Sequence, residues 1–315
     1  MKNQIDVSFV MTVYNKEYYL PSVLKALLGQ TGLKNPEYIF VDDNSSDKSV
    51  EIIREMTKDL KNVKIFTNKD NKGISVRINQ GIMAASGEYT RMLDSDDIFP
   101  LDSTEKMLKI AREDNVDMVY GNFIKTGQKP HKLEHCTLEP FSIKKYDDAM
   151  RAILSGRYTR MGQLIKTSVL QAAGGADERI FVQDESIPLR CGILAHGIAK
   201  ISANVVLVPE EIGNASGNKS QLNFDRFFAY YWILREHRNL PKDILQKLYM
   251  RAVSAYWKQV KRTAKAPFLS SAFFKYMMCK ARKPLPDFKY LEKMKKSFLM
   301  LDNVRKMQYS DNQQV

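Results

Sequence analysis

Apolar and polar positions along the first 125 residues alternate between two repeats. Val7–Val13 (VSFVMTV) is an apolar run of strand length. Leu20–Leu28 then places apolar residues at helical spacing, opened by Pro21 and stopped near Gly29 and Gly32. Tyr38–Val41 predicts a second strand. Ser46 or Asp47 can cap the helix that follows, with Glu51 near the favourable end of its dipole and Val50, Ile53 and Met56 facing inward. Val63–Phe66, Tyr89–Leu93 and Met118–Tyr120 predict further strands, and Ile74–Ala85 and Lys106–Arg112 further helices. Such alternation implies parallel β-α-β units in an open sheet covered on both faces.

Beyond this point the pattern loosens. Residues 124–145 are polar, contain Pro130 and Pro140, and read as a surface loop. Asp147–Leu154 and Lys166–Ala173 are helical in pattern, the second closed by Gly174–Gly175. Asp184–Ala195 predicts a helix with Pro188 in its first turn, and Ile201–Val208 a β-branched strand closed by Pro209. Gly213–Ser220 (GNASGNKS) reads as a boundary. It divides the chain into residues 1–220 and a C-terminal region, 221–315, whose helices are expected at Asp225–Arg238, Lys242–Lys261, Pro267–Lys280 and Lys289–Lys306.

Charge sharpens that division. Residues 226–315 hold 20 Lys and Arg against 6 Asp and Glu, an excess of +14, while the rest of the chain carries a balance of −1, so the formal charge of +13 belongs to the C-terminal region alone. Lys and Arg there are interleaved with Phe227, Phe228, Tyr230, Tyr231, Trp232, Tyr256, Trp257, Phe273, Phe274 and Tyr276. On amphipathic helices this mixture fits contact with an anionic membrane surface. Packing of helix on helix is the plainer expectation for most of the aromatics. No nucleic-acid-binding motif accompanies the charge, and no nucleic acid partner is expected.

Cys136, Cys191 and Cys279 are odd in number and widely spaced, which argues against a disulfide framework or a zinc site and for a reducing, cytoplasmic setting. No apolar run is long enough to span a bilayer, and the N-terminal run lacks a small-residue cleavage site, so it reads as a strand. The chain contains neither a P-loop nor a G-x-S-x-G elbow. Among the histidines, His131 and His135 have ligand spacing but sit in the polar loop. His196 reaches a metal only if the Asp184 helix turns inward.

In an open α/β sheet, ligands bind outside the carboxyl ends of the strands. Three polar clusters fall there: Thr12–Asn15 (TVYN) after the first strand, Asp42–Asp47 (DDNSSD) after the second, and Asp94–Asp97 (DSDD) after the fourth. Each alone has an ordinary reading as a turn or a helix cap. Their convergence on one sheet edge does not. Asp94 and Asp96 stand two apart, so in an extended segment both carboxylates point to one side. Acidic groups this close require a counter-charge, which a hard cation such as Mg²⁺ or Mn²⁺ supplies together with substrate phosphate oxygens. Lys72 and Arg77 are cations that can lean toward phosphates, Arg77 with the better geometry, although a solvated face is the plainer reading for both.

TVYN, FVDDNSSD and GISVRINQGIMAASGEYTRMLDSDD together resemble the nucleotide-sugar-binding half of the family-2 inverting glycosyltransferases, densely over residues 5–122 and more thinly over 160–210. The resemblance implies an α/β, Rossmann-like GT-A fold and transfer of a sugar from a nucleotide-sugar donor, UDP by family expectation, to a hydroxyl of a glycan or lipid-linked acceptor. It implies that Thr12 and Tyr14 line the base, that Asp43, with or without Asp42, binds the uracil or ribose edge, and that Asn79 faces the nucleotide or diphosphate. Asp96 and Asp97 match the end of the D-x-D signature that binds ribose and metal, with Asp94 ordering the loop or touching the donor sugar; sequence does not divide labour among the three. Ala173–Arg190 (AGGADERIFVQDESIPLR) resembles the family's glycine turn followed by an acidic motif at a helix start. It puts Asp184 at the general-base position, with Glu185 competing; Gln183 departs from the acidic residue usual before that Asp. A metal-dependent nucleotidyltransferase is the rival enzyme, and a non-catalytic membrane- or nucleic-acid-binding protein on this fold the rival outside enzymes.

Overall fold

The computed structural model describes residues 4–156, 158, 161–210 and 218–307. In chain order these form β1 (Val7–Val13), α1 (Leu20–Leu28), β2 (Glu37–Asp42), α2 (Ser49–Thr57), β3 (Val63–Thr67), α3 (Ile74–Ala84), β4 (Tyr89–Asp94), α4 (Ser103–Glu113) and β5 (Met118–Lys125). There follow β6 (Ile143–Asp148), α5 (Ala149–Ser155), β7 (Gln163–Lys166), α6 (Thr167–Ala172), α7 (Ser186–Leu194) and β8 (His196–Val208), then α8 (Lys219–Glu236), α9 (Lys242–Thr263), α10 (Ser271–Arg282) and α11 (Phe288–Leu299).

All the strands join one sheet in the order β3-β2-β1-β4-β7-β5-β8-β6. β1 to β4 pair in parallel, as the alternating pattern predicts. The remainder departs from a purely parallel sheet: β7 runs antiparallel between β4 and β5, and β6 runs antiparallel at the edge beside β8. The loop expected over 124–145 therefore ends in an edge strand, and β8 begins at His196, ahead of the Ile201 that its β-branched run marks.

Every residue of β1 is buried because helices cover both faces. Phe9, Met11 and Val13 pack with Leu20, Leu24 and Leu27 of α1, whereas Val10 packs with Ile78 and Ile82 of α3. Gly81 makes the second contact close, since a Cβ there would lie 2.3 Å from Val10 Cγ1.

The basic helices are not peripheral to this core. Phe224, Phe227 and Phe228 of α8 are fully buried, and Phe227 stacks on Phe298 of α11 with centroids 4.8 Å apart. These residues share one apolar cluster with Ile78 and Ile82. α8 also starts earlier than its pattern predicts, because the Asn218 side chain accepts the backbone N–H groups of Ser220 and Gln221, each at 3.1 Å. Of the expected boundary loop, residues 213–217 lie outside the described residues. α11 stops at Leu299, and the chain continues as an irregular tail to residue 307.

Candidate active site

Strand register brings the three polar clusters together. Thr12 lies opposite Asp94 and Val13 opposite Asp42, so TVYN, DDNSSD and DSDD leave the sheet side by side at its carboxyl edge. They open onto a cleft of about 750 Å³. Thr12, Tyr14, Asp43, Asp94, Asp96 and Asp184 all line it. Thr12 is buried at its floor and Tyr14 stands exposed at its rim.

The floor is held rigidly. One Asp43 carboxylate oxygen accepts from Lys72 N–H at 2.8 Å and Arg77 Nε at 2.7 Å, and the other accepts from Gly73 N–H at 2.8 Å, at the start of α3. Arg77 is thus a buried cation paired with Asp43 and lining the cleft, and the solvated face expected of it is overturned. Asn15, in a left-handed conformation at φ 51°, accepts the Ser46 N–H at 2.8 Å and ties the first two clusters to each other. The next residue, Lys16, ion-pairs with Asp96 across the cleft.

Three candidates lie outside the lining. The buried Asp42 carboxylate turns back to accept the N–H groups of Asn44 and Ser45 at 3.1 Å, shaping its own loop. Asn79 holds the segment that leads to Asp184: its amide donates to Ala176 O at 3.0 Å and Glu178 Oε1 at 2.9 Å, and accepts Ala176 N–H at 2.8 Å. Asp97 is only 4% exposed, behind the turn that Asp94 and Asp96 present to the cleft. His196 begins β8 at the opposite edge of the sheet, its N–H donated to Asp117 at 2.7 Å.

Asp184 reaches the cleft on a clamped loop. The Ile180 carbonyl accepts from Ser75 at 2.8 Å, and the Phe181 and Val182 N–H groups donate to the Asp225 carboxylate at 3.1 and 3.0 Å. Burial, with the nearby Asp184 charge adding to it, raises the Asp225 pKa to about 7 despite the hydrogen bonds it accepts. The competing Glu185 turns away, paired with Arg226 and hydrogen-bonded by Tyr230 on α8. Of the two acids, Asp184 is the one that faces the cleft.

Sequence reasoning missed Lys16 and Arg305. Arg305 comes from the tail after α11, stacks its guanidinium 4.8 Å from the Phe181 ring and lines the cleft near Asn71. The cleft thus combines carboxylates with cations placed to receive an anion.

Among the described residues no group of three His, Cys, Asp or Glu is placed to hold a metal ion. Asp94 and Asp96 nonetheless place two hard oxygen donors on one turn lining the cleft, the donor type that Mg²⁺ and Mn²⁺ prefer.

Residues 8–191 match the family described as "Glycosyl transferase family 2". An uncharacterized glycosyltransferase of Haemophilus influenzae is 38% identical over 117 residues, 37% of this chain and 46% of that protein. The chain therefore matches less than half of that relative's length. TuaG of Bacillus subtilis, a putative teichuronic acid biosynthesis glycosyltransferase, is 27% identical over 73% of this chain and 89% of its own. Among solved structures, S. aureus TarS 1-349 in complex with UDP-GlcNAc superposes with a TM-score of 0.64 at 15% identity, over 98% of both chains. The mannosyltransferase PcManGT from Pyrobaculum calidifontis, in complex with GDP-Man and Mn²⁺, gives 0.59 at 15% identity over 95% of this chain and 88% of that one. At such identities the likeness is one of fold.

Proposed function

The chain belongs to glycosyl transferase family 2, and from that premise we propose that it transfers a sugar, with inversion, from a nucleotide-sugar donor to a hydroxyl of a glycan or lipid-linked acceptor. The observation that carries this reading is the convergence of Asp43, Asp94, Asp96 and Asp184 on one cleft at the carboxyl ends of β1, β2 and β4. The nucleoside lies against Thr12, Tyr14 and Asp43, with UDP the expected base carrier. Lys16, Arg77 and Arg305 supply positive charge to the diphosphate; the Arg77 guanidinium is held by Asp43 and acts through its charge, while the planar guanidinium of Arg305 donates paired hydrogen bonds.

Asp184 acts as general base. It accepts the proton of the acceptor hydroxyl as that oxygen bonds to the anomeric carbon, while the bond to the diphosphate breaks with its electron pair leaving on the phosphate oxygen. Attack from the face opposite the leaving group inverts the anomeric centre. Asp96, with Asp94, would hold Mg²⁺ or Mn²⁺, which would supply Lewis-acid neutralisation of the departing diphosphate; Asp97, behind the turn, would only support that pair.

The C-terminal excess of Lys and Arg brings residues 226–315 to an anionic membrane surface, on the cytoplasmic face, where lipid-linked acceptors of polysaccharide or lipopolysaccharide synthesis reside. No helix among the described residues is long and apolar enough to cross a membrane.

Thermal shift with a panel of nucleotide sugars, with and without divalent metal, followed by assay of the released nucleotide, tests the reaction class. Sugar transfer releases a nucleoside diphosphate. Release of pyrophosphate instead identifies the rival nucleotidyltransferase.

A further inference from the structure

A membrane contact needs a surface, and packing removes most of the basic region from contention. Phe224, Phe227, Phe228 and Tyr231 are at most 1% exposed, and Trp257 is 7% exposed. What stays outside lies beyond α9. In the short 3-10 turn Pro267–Leu269, Phe268 and Leu269 are 55% and 79% exposed; on α10, Phe274 and Met277 are 60% and 46% exposed. Phe274 and Met277 are three apart and share one helix face, whereas Ala272 and Cys279 point into the protein.

These side chains form a continuous ridge. Phe268 lies 5.4 Å from Phe273, centroid to centroid, and Phe273 lies 5.7 Å from Phe274. Trp257 backs both, 5.7 Å from Phe268 and 5.1 Å from Phe273. The ridge therefore stands on a packed base and keeps its shape.

Cations frame it. Residues 261–289 contain eight Lys and Arg and one acid, Asp287, which pairs with Lys275 at 2.8 Å. Lys261, Arg262 and Lys265 precede the ridge and Lys280, Arg282 and Lys283 follow it, all exposed. The Lys261 ammonium stands 5.6 Å from the Phe268 ring. Protruding apolar side chains ringed by cations are poorly matched to water and well matched to a headgroup layer, where the apolar groups reach the acyl boundary and the cations meet phosphates.

The geometry points to the Pro267–Leu269 turn and the outer face of α10 as the membrane-contacting ridge. Phe268, Leu269, Phe274 and Met277 enter the headgroup region of an anionic bilayer, and the flanking Lys and Arg lie against its phosphates. This deepens the membrane reading above and rests on it, but does not depend on which sugar is transferred.

Truncation is a poor test, because α8 and α9 share the catalytic core. Point variants of the full chain avoid the difficulty. Sedimentation with vesicles of phosphatidylcholine alone, or mixed with phosphatidylglycerol, would be measured for wild type, L269D/F274D, K280E/K283E and the control Met83→Asp, an exposed apolar residue on α3. Wild type and the control should favour the mixed vesicles; both double variants should bind them at least about tenfold more weakly. Melting temperatures and the donor-induced thermal shift should be unchanged throughout, which separates this surface from the catalytic reading. Equal binding by wild type and L269D/F274D overturns the ridge, even if K280E/K283E binds less. Failure of wild type to bind anionic vesicles overturns the membrane reading, and the ridge with it.

Discussion

The side-chain amide of Gln221 holds the backbone of Arg305 at two points, its oxygen accepting the N–H at 2.6 Å and its NH2 donating to the carbonyl at 3.2 Å. The same NH2 donates to Asp225 at 2.9 Å, and Asp225 fixes the loop that presents Asp184. One buried polar chain therefore positions a cation, Arg305, at one wall of the cleft and the loop that carries Asp184 at another. Arg305→Ala is expected to weaken nucleoside diphosphate binding about tenfold, the scale of one charge-assisted hydrogen bond, with little change in melting temperature. Gln221→Ala should weaken it in the same direction through lost positioning. Titration calorimetry checks both, and unchanged affinity in Arg305→Ala removes that residue from the donor site.

Asp225 gives a pH signature. Its pKa is raised to about 7 in the folded protein from an ordinary value of 3.8, so between these limits the folded state binds the extra proton. Stability contributed by this group falls as pH rises through that window and levels off above it. The stability advantage of wild type over Asp225→Ala should be larger at about pH 5 than at about pH 8. Thermal melts of both proteins at the two pH values decide the matter; an advantage that grows with pH contradicts the assignment.

Glu185 is expected to matter for stability and not for chemistry. Its carboxylate is paired with Arg226 and hydrogen-bonded by Tyr230, away from the cleft. Glu185→Gln should cost about 1–2 kcal/mol of stability while turnover stays near wild type. Loss of turnover with unchanged melting would exchange its role with that of Asp184.

Asp96 is expected to carry the metal dependence. Asp96→Ala frees Lys16 and removes a carboxylate from the DSDD turn. Donor affinity in the presence of Mn²⁺ should drop about tenfold or more, while metal-free affinity changes little. Titration with and without metal measures the difference, and an intact metal effect excludes Asp96 as a ligand.

Much of the site was legible because β1, β2 and β4 are short apolar runs, each followed by a polar cluster, and parallel register places such clusters together. β7 was not legible: Gln163–Lys166 is four residues long, too short for a period, and its antiparallel course is set by neighbours distant in sequence. Arg305 was hidden for a related reason. Its place in the cleft depends on backbone contacts with Gln221, 84 residues away, and a local reading made it the end of a helix. Asn79 shows a different limit. Position on α3 brought it near the site, but its amide complements the backbone of Ala176, beside Gly175, where a Cβ would approach Asn79 Oδ1 to 2.3 Å. Aromatic content of the basic helices was read correctly as packing for α8, yet nothing local distinguished Phe227, fully buried, from Phe274, 60% exposed.

The general-base role of Asp184 is tested most directly by nucleoside diphosphate release from Asp184→Asn, measured beside donor affinity for the same protein. The expected result is a rate about 10²–10⁴-fold below wild type with donor affinity and melting temperature preserved. Near-wild-type release by Asp184→Asn would contradict the account.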